Sequence, residues 1–168
     1  MKQQIIISGL GGQGALTLTR LLAEAAAALG CEVLTSETHG MAQRGGTVIS
    51  MIKVGPFRGP LIPPGRADVG LFLALKNLAV HRLYLKSDAP VFVNSPVPGD
   101  FQNIDAQGLA RQVGAAVAAN LILLGFAAAR RGLFCGVELL EGLIKEKLPP
   151  RFRETNLQAF RLGVAAAG

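Results

Sequence analysis

Six residues near the start of the chain, Gly9-Leu10-Gly11-Gly12-Gln13-Gly14, constrain the fold more than any others. They follow Gln3-Gln4-Ile5-Ile6-Ile7-Ser8, a short β-branched run of the kind that fills a buried parallel strand. They precede Ala15 to Leu29, where Leu18, Leu21, Leu22, Ala25 and Ala26 recur at helical spacing before Gly30 supplies a stop. A glycine-rich turn between a strand and a helix is the phosphate-binding element of doubly wound α/β sheets. In that context Gly9 permits the tight turn, Gly11 and Gly12 let a ligand approach the backbone, and Gly14 lets the helix pack closely. The N–H groups of the helix end then point at an anion. The same glycines also suit packing alone, with the crevice filled by a neighbouring protein.

The rest of the chain continues the pattern. Glu32 to Ser36 is a second strand candidate, and a right-handed crossover from the first makes half of a doubly wound sheet. A polar loop, Glu37 to Gly46, leads to a third strand over Thr47 to Val54, and the four prolines between Pro56 and Gly65 impose irregular backbone. Ala67 to Leu73 and Ala89 to Asn94 read as buried strands around a short helix at Asn77 to Leu85. Helices are expected over Ala115 to Ala129, Val137 to Lys147 and, after Pro149-Pro150, Arg153 to Ala166. The fold class is α/β, with a Rossmann-like, doubly wound, mostly parallel sheet and a helical C-terminal part, in a single domain over residues 1–168.

Half of the residues are hydrophobic and 17% are charged, which excludes a disordered chain. The mean hydropathy of +0.40 leaves few charges to cover the surface, so a membrane or a partner protein should take some of it. The uncharged span Gln112 to Ala129 just reaches membrane-spanning length, but Gln112, Gly114, Asn120 and its many alanines suit a buried helix better. The apolar run after Met1-Lys2 is too short for a signal peptide, so a cytoplasmic location and no membrane contact are expected. Cys31 and Cys135 stand alone, so no iron–sulfur or zinc site is expected from this chain by itself. The net charge of +6 is dispersed, without a basic block interleaved with aromatics. That disfavours nucleic acid and suits a small polyanion or an acidic partner subunit.

A second glycine-containing segment, Glu37-Thr38-His39-Gly40-Met41-Ala42-Gln43-Arg44-Gly45-Gly46, leaves the carboxyl end of the second strand, the edge that also carries the glycine turn. Arg44 beside Gly45 and Gly46 is a bidentate donor for carboxylate or phosphate, or else a partner for Glu37 or another subunit. Glu37 stands about where a dinucleotide fold holds a ribose, or is a solvated carboxylate. Gln13 either bonds a ligand carbonyl or braces the turn, and His39 is a weak catalytic candidate with no second acid, base or nucleophile beside it. His81 is expected at the surface, and Asn120 and Asn156 as hydrogen-bonding braces inside helices.

Taken together, Gly9 to Gly14, Met41-Ala-Gln-Arg-Gly-Gly46, Ala67-Asp68, Asn120 and Asn156-x-x-Ala159-x-x-x-Gly163 resemble the gamma-type subunit of 2-oxoacid:ferredoxin oxidoreductases. The version beginning at His39 is most similar to the small subunit of the indolepyruvate branch. The resemblance implies a complex that oxidatively decarboxylates a 2-oxoacid to an acyl-CoA and passes electrons to ferredoxin. It would use thiamine diphosphate, Mg2+, [4Fe-4S] clusters and CoA. The cysteine count and the absence of a thiamine-binding GDG…N segment place those groups on larger partner subunits, with none bound by this chain alone and a CoA contact open to it. Gly9, Gly11, Gly12, Gln13, Gly14, Arg44, Gly45 and Gly46 would then form an anion-accepting edge facing the partner. An isolated chain would be inactive, as a possible homodimer. The other readings are an independent NAD(P)-binding reductase, resting on the glycine turn and Glu37, and a noncatalytic scaffold subunit.

Overall fold

The computed structural model describes residues 1–39 and 46–168, with the backbone alone at His39. Its elements, in chain order, are β1 (Gln3–Leu10), α1 (Ala15–Ala28), β2 (Val33–His39), β3 (Thr47–Val54), β4 (Val69–Phe72), α2 (Asn77–His81), β5 (Val91–Asn94), β6 (Gln102–Ile104), α3 (Ala106–Gln112), α4 (Ala119–Ala129), α5 (Val137–Lys147) and α6 (Arg153–Ala166). Short 3-10 turns at Arg82–Tyr84, Ala116–Ala118 and Pro150–Phe152 extend α2 and precede α4 and α6.

One six-stranded sheet runs in the order β2-β3-β1-β4-β5-β6. The pairs β1·β4, β4·β5 and β5·β6 are parallel, while β3 runs antiparallel to both neighbours, β1 and β2. Five strands therefore point one way and the sheet is mostly parallel, as the glycine turn and the buried β-branched runs require.

The neighbourhood of β1 departs from the expected βαβ unit. β2 does not lie beside β1; it forms a hairpin with β3, and β3 takes the inner place, with Ile7 opposite Ser50 and Ser50 opposite Glu37. The cause is burial: β3 is buried almost throughout, whereas β2 carries exposed Thr35, Glu37 and Thr38, which suit an edge. Two elements were absent from the sequence reading. β6 is a three-residue polar edge strand with no period to detect, and α3 is short and contains Gly108. Asp105, whose side chain accepts the Gly108 N–H at 3.0 Å, is the cap that would have revealed α3.

Alternation along β1 divides the core. Ile5 and Ile7 join a large cluster under α1, α3, α4, α5 and α6, and Ile6 joins a smaller one under Leu78 of α2, Ile62 and Leu85. The family-type spacing Asn156-x-x-Ala159-x-x-x-Gly163 explains the tightest helix pair. A Cβ at Gly163 would lie 1.9 Å from the Ile122 carbonyl oxygen and one at Gly125 would lie 2.2 Å from the Phe160 oxygen, so α4 and α6 meet backbone to backbone. Asp68 fastens the start of β1, accepting the Gln4 N–H at 2.7 Å and pairing with Lys86. No helix among the described residues is long and apolar enough to cross a membrane.

Candidate functional site

The glycine turn lies where the sheet changes winding. The chain leaves β1 into α1 over the larger core and leaves β4 into α2 over the smaller one, so the loops after these adjacent parallel strands diverge. Such a switch point opens a crevice at the carboxyl ends of the strands. Here the crevice holds a cleft of ≈ 180 Å³ between Gly12 and Gln13, Leu73 after β4, Asn94 ending β5, Gln107 of α3, and Ala116, Val117, Ala119 and Asn120.

Side-chain amides from three elements set the turn. Gln13 Oε1 accepts the Leu10 N–H at 2.6 Å while its Nε2 donates to the Leu73 carbonyl at 3.2 Å, tying β1 to β4. Gln13 is thus a brace. Asn77 Nδ2 donates to the Gly9 carbonyl at 2.7 Å and to Ser8 Oγ at 3.0 Å. Asn120, the expected brace, donates to the Gly14 carbonyl at 3.2 Å. Asn156 is half-buried on α6. A Cβ at Gly14 would lie 2.3 Å from Asn120 Nδ2, and its φ of +88° is a left-handed conformation that favours glycine. Gly12, at φ +90°, has nothing within 4 Å of its Cβ position, so the backbone there is open to an approaching group.

The electrostatics of this edge come from backbone. Gly14 offers α1 no side-chain cap, and the first turn contains no acidic residue. The leading N–H groups of this 14-residue helix therefore form a positive dipole end that no capping side chain or first-turn acid of α1 offsets. The cleft lining contributes four carboxamides, Gln13, Asn94, Gln107 and Asn120, and no ionisable side chain. These amides are engaged: Asn94 Nδ2 also donates to the Leu73 carbonyl at 3.2 Å, and Gln107 Nε2 to Ala116 O at 3.3 Å.

The second candidate segment is reached only at its ends. The Gly46 carbonyl accepts the Gly11 N–H at 2.9 Å, so this loop returns against the glycine turn. Arg44 and Gly45 lie outside the described residues, and the His39 backbone pairs with Val48 at the end of β2. Glu37 is an exposed strand residue with β3 between it and β1, about 10 Å away across two strand spacings. In a dinucleotide fold the ribose-binding acid ends the strand adjacent to the first, so the insertion of β3 counts against that role.

Sequence reasoning missed a polar cluster behind the turn. Ser8, fully buried, places Oγ 2.6 Å from His81 Nδ1, and His81 is half-buried rather than at the surface. Ser8 Oγ already accepts from Asn77, which leaves its proton for Nδ1 of a neutral ring. Burial lowers the His81 pKa and favours that form. Asn77 Oδ1 is buried without a partner among the described residues. A serine within a strand and two polar residues four apart on a short helix gave no signal, because the contact spans 73 residues.

Among the described residues no group of three His, Cys, Asp or Glu could hold a metal ion, and Cys31 and Cys135 are free thiols. Among the described residues the cleft lining carries amide and backbone groups and no side chain that could act as a nucleophile paired with a base. Fold and site together define a mostly parallel α/β domain with a crevice at the switch point of its sheet.

The chain belongs to the pyruvate ferredoxin/flavodoxin oxidoreductase family, whose model matches residues 4–166. It is 34% identical to the indolepyruvate oxidoreductase subunit IorB of Thermococcus kodakarensis, over 97% of this chain and 95% of that one. It is 30% identical to the same subunit of Archaeoglobus fulgidus, over 97% and 94%. Among solved structures it resembles the gamma subunit of a keto/oxoacid ferredoxin oxidoreductase from Geobacter sulfurreducens, with a TM-score of 0.79, 27% identity and 98% of each chain covered. The chain is a small subunit of the 2-oxoacid:ferredoxin oxidoreductase type.

Proposed function

We propose that this chain is the small subunit of a cytoplasmic complex oxidising indolepyruvate or a related 2-oxoacid to an acyl-CoA, working as one domain whose glycine-turn edge receives an anionic group of CoA or the oxoacid. The observation that carries the reading is the uncapped start of α1 opening beside Gly12 at the switch point, with no ionisable side chain lining the cleft among the described residues. A crevice of this composition binds and orients.

In such a complex thiamine diphosphate with Mg2+ would supply the decarboxylation chemistry, and [4Fe-4S] clusters would supply electron transfer to ferredoxin. The residues of this chain do not fit those groups. Two cysteines cannot ligate a four-cysteine cluster, and the described residues offer no set of carboxylates for Mg2+, so larger subunits hold them. This chain's own part is positional. Gln13, Asn77 and Asn120 hold the turn, and the Gly11 N–H to Gly46 carbonyl hydrogen bond brings Gly46 against it. Arg44 then supplies a fork for carboxylate or phosphate.

Steady-state kinetics of the native complex carrying Arg44→Ala test this. A KM for CoA or for the oxoacid raised about tenfold, the size of one lost charge-assisted contact, is expected. Unchanged constants for both would refute the anion edge. Titration of the isolated chain with NAD(H) and NADP(H) should give no binding, and saturable binding would instead favour the reductase.

A further inference from the structure

The second face of the sheet is thinly covered. Among the described residues α2, the Arg82–Tyr84 turn, the proline-containing segment from Gly55 to Arg66, Ala89 and Phe101 lie over it, whereas the first face carries five helices. This cover shows large apolar side chains to solvent: Leu61 is 62% exposed, Leu83 55%, Val80 48% and Leu75 42%. Among them stand Arg58, Arg66 and Lys76, all exposed and without an ion pair among the described residues. Apolar knobs ringed by unpaired cations form a surface that an apolar, acid-rimmed partner would match.

The inner side of the same short element holds the glycine turn. Asn77 donates to the Gly9 carbonyl and to Ser8, and His81 bonds Ser8. Val80 and Leu83 outside, with Asn77 and His81 inside, occupy little more than two helical turns. A body pressed on the outside is therefore one side chain from the backbone of Gly9.

Resting on the subunit reading above, we propose that the surface formed by Leu75 to Leu83, with Leu61 and the cations Arg58, Arg66 and Lys76, is where the larger oxidoreductase subunit docks, through an apolar patch rimmed by carboxylates. Docking there orders the glycine turn through Asn77 and the Ser8–His81 pair. The competing surface is the groove of ≈ 610 Å³ between α1 and Pro149. Its charges are partly satisfied internally, Lys147 lying 3.7 Å from Glu24, and no side-chain hydrogen bond among the described residues ties it to the turn.

The test uses the co-expressed complex purified through a tag on this chain, at low and high salt. Val80→Asp with Leu83→Asp, and separately Lys76→Glu with Arg66→Glu, should reduce the retained larger subunit at least about tenfold, as expected when interface anchors are lost. Leu16→Asp with Arg20→Glu on α1 should retain it. The deficit of the charge-reversal variant should shrink at high salt. Amide hydrogen exchange of the wild-type chain, free and in complex, reads the same surface without substitutions and should show protection over residues 75–84 and at Gly9 to Gly11. Full retention by both α2-side variants, loss only in the α1 variant, or no protection over 75–84 overturns the docking proposal while leaving the subunit reading intact. A wild-type chain that retains no larger subunit overturns both.

Discussion

Replacing Gly163 by alanine sets two effects of opposite sign against each other. Alanine is favoured over glycine inside a helix by about 1 kcal/mol, so propensity alone predicts stabilisation of α6. Packing opposes it. The new Cβ would lie 1.9 Å from the Ile122 carbonyl oxygen, 2.8 Å from its carbon and 2.9 Å from the Phe126 nitrogen, all backbone atoms of α4 that cannot rotate away. Reaching an ordinary contact of 3.4 Å needs about 1.5 Å of separation between the helices. A gap of even 1 Å forfeits roughly a quarter to a half of the dispersion energy of each contact across it. Overpacking of this kind costs about 1–3 kcal/mol and occasionally more, and the rigidity of both backbones puts this case at the upper end. A net loss of about 2–3 kcal/mol follows, lowering Tm by roughly 5–10 °C for a chain of this size. Gly142→Ala in α5 is the control. That helical position is exposed with nothing within 4 Å of its Cβ, so the same substitution there should raise Tm by about 2 °C. Thermal and urea unfolding of both variants measure the difference, and a Gly163→Ala protein as stable as the Gly142→Ala protein would refute the close crossing.

Other consequences are open to measurement. Asn120→Ala removes the bond to the Gly14 carbonyl and should cost about 1–2 kcal/mol, with faster amide exchange at the start of α1 as the specific sign. Burial holds the His81 pKa below its ordinary 6.5, so the folded chain binds fewer protons than the unfolded one between the two values. The stability from neutral His81 is therefore complete above 6.5 and lost as pH falls through the folded-state value; urea midpoints should show a smaller acid loss in His81→Gln. Burial pushes the Cys135 thiol up to about 12, whereas Cys31 is half-buried near the end of α1. Iodoacetamide on the native chain at mildly alkaline pH should modify Cys31 and spare Cys135, and equal labelling by mass spectrometry would contradict that burial.

Much of the site could be read from local chemistry. The strand, turn and α1 follow from β-branched residues, glycines and a 3.6-residue period within thirty positions, so residues 3–29 fold as their pattern implies. Asn120 as a brace and the Asn156-to-Gly163 spacing as a meaningful unit were also legible. Three features were not. β3 displaces β2 from the side of β1, and no local pattern ranks two strands for the inner place; burial against α1 decides it. The Ser8–Asn77–His81 cluster joins residues about 70 positions apart, which periodicity cannot detect. The cleft needs Asn94, Gln107 and Val117, each unremarkable alone and brought together only by the ends of β5 and α3.

The sequence by itself determined that a glycine turn between a strand and a helix opens a mostly parallel α/β sheet, because backbone freedom at glycine and the two side-chain periods are local properties. The two isolated cysteines likewise set the expectation, from local spacing alone, that this chain by itself offers no four-cysteine cluster site. Tertiary structure alone decided which groups stand behind the turn, which strand lies beside it and which apolar side chains stay exposed over the second face of the sheet. Those depend on the packing of residues distant along the chain, where burial free energy, roughly proportional to the apolar area removed from water, selects one arrangement among many with the same local pattern.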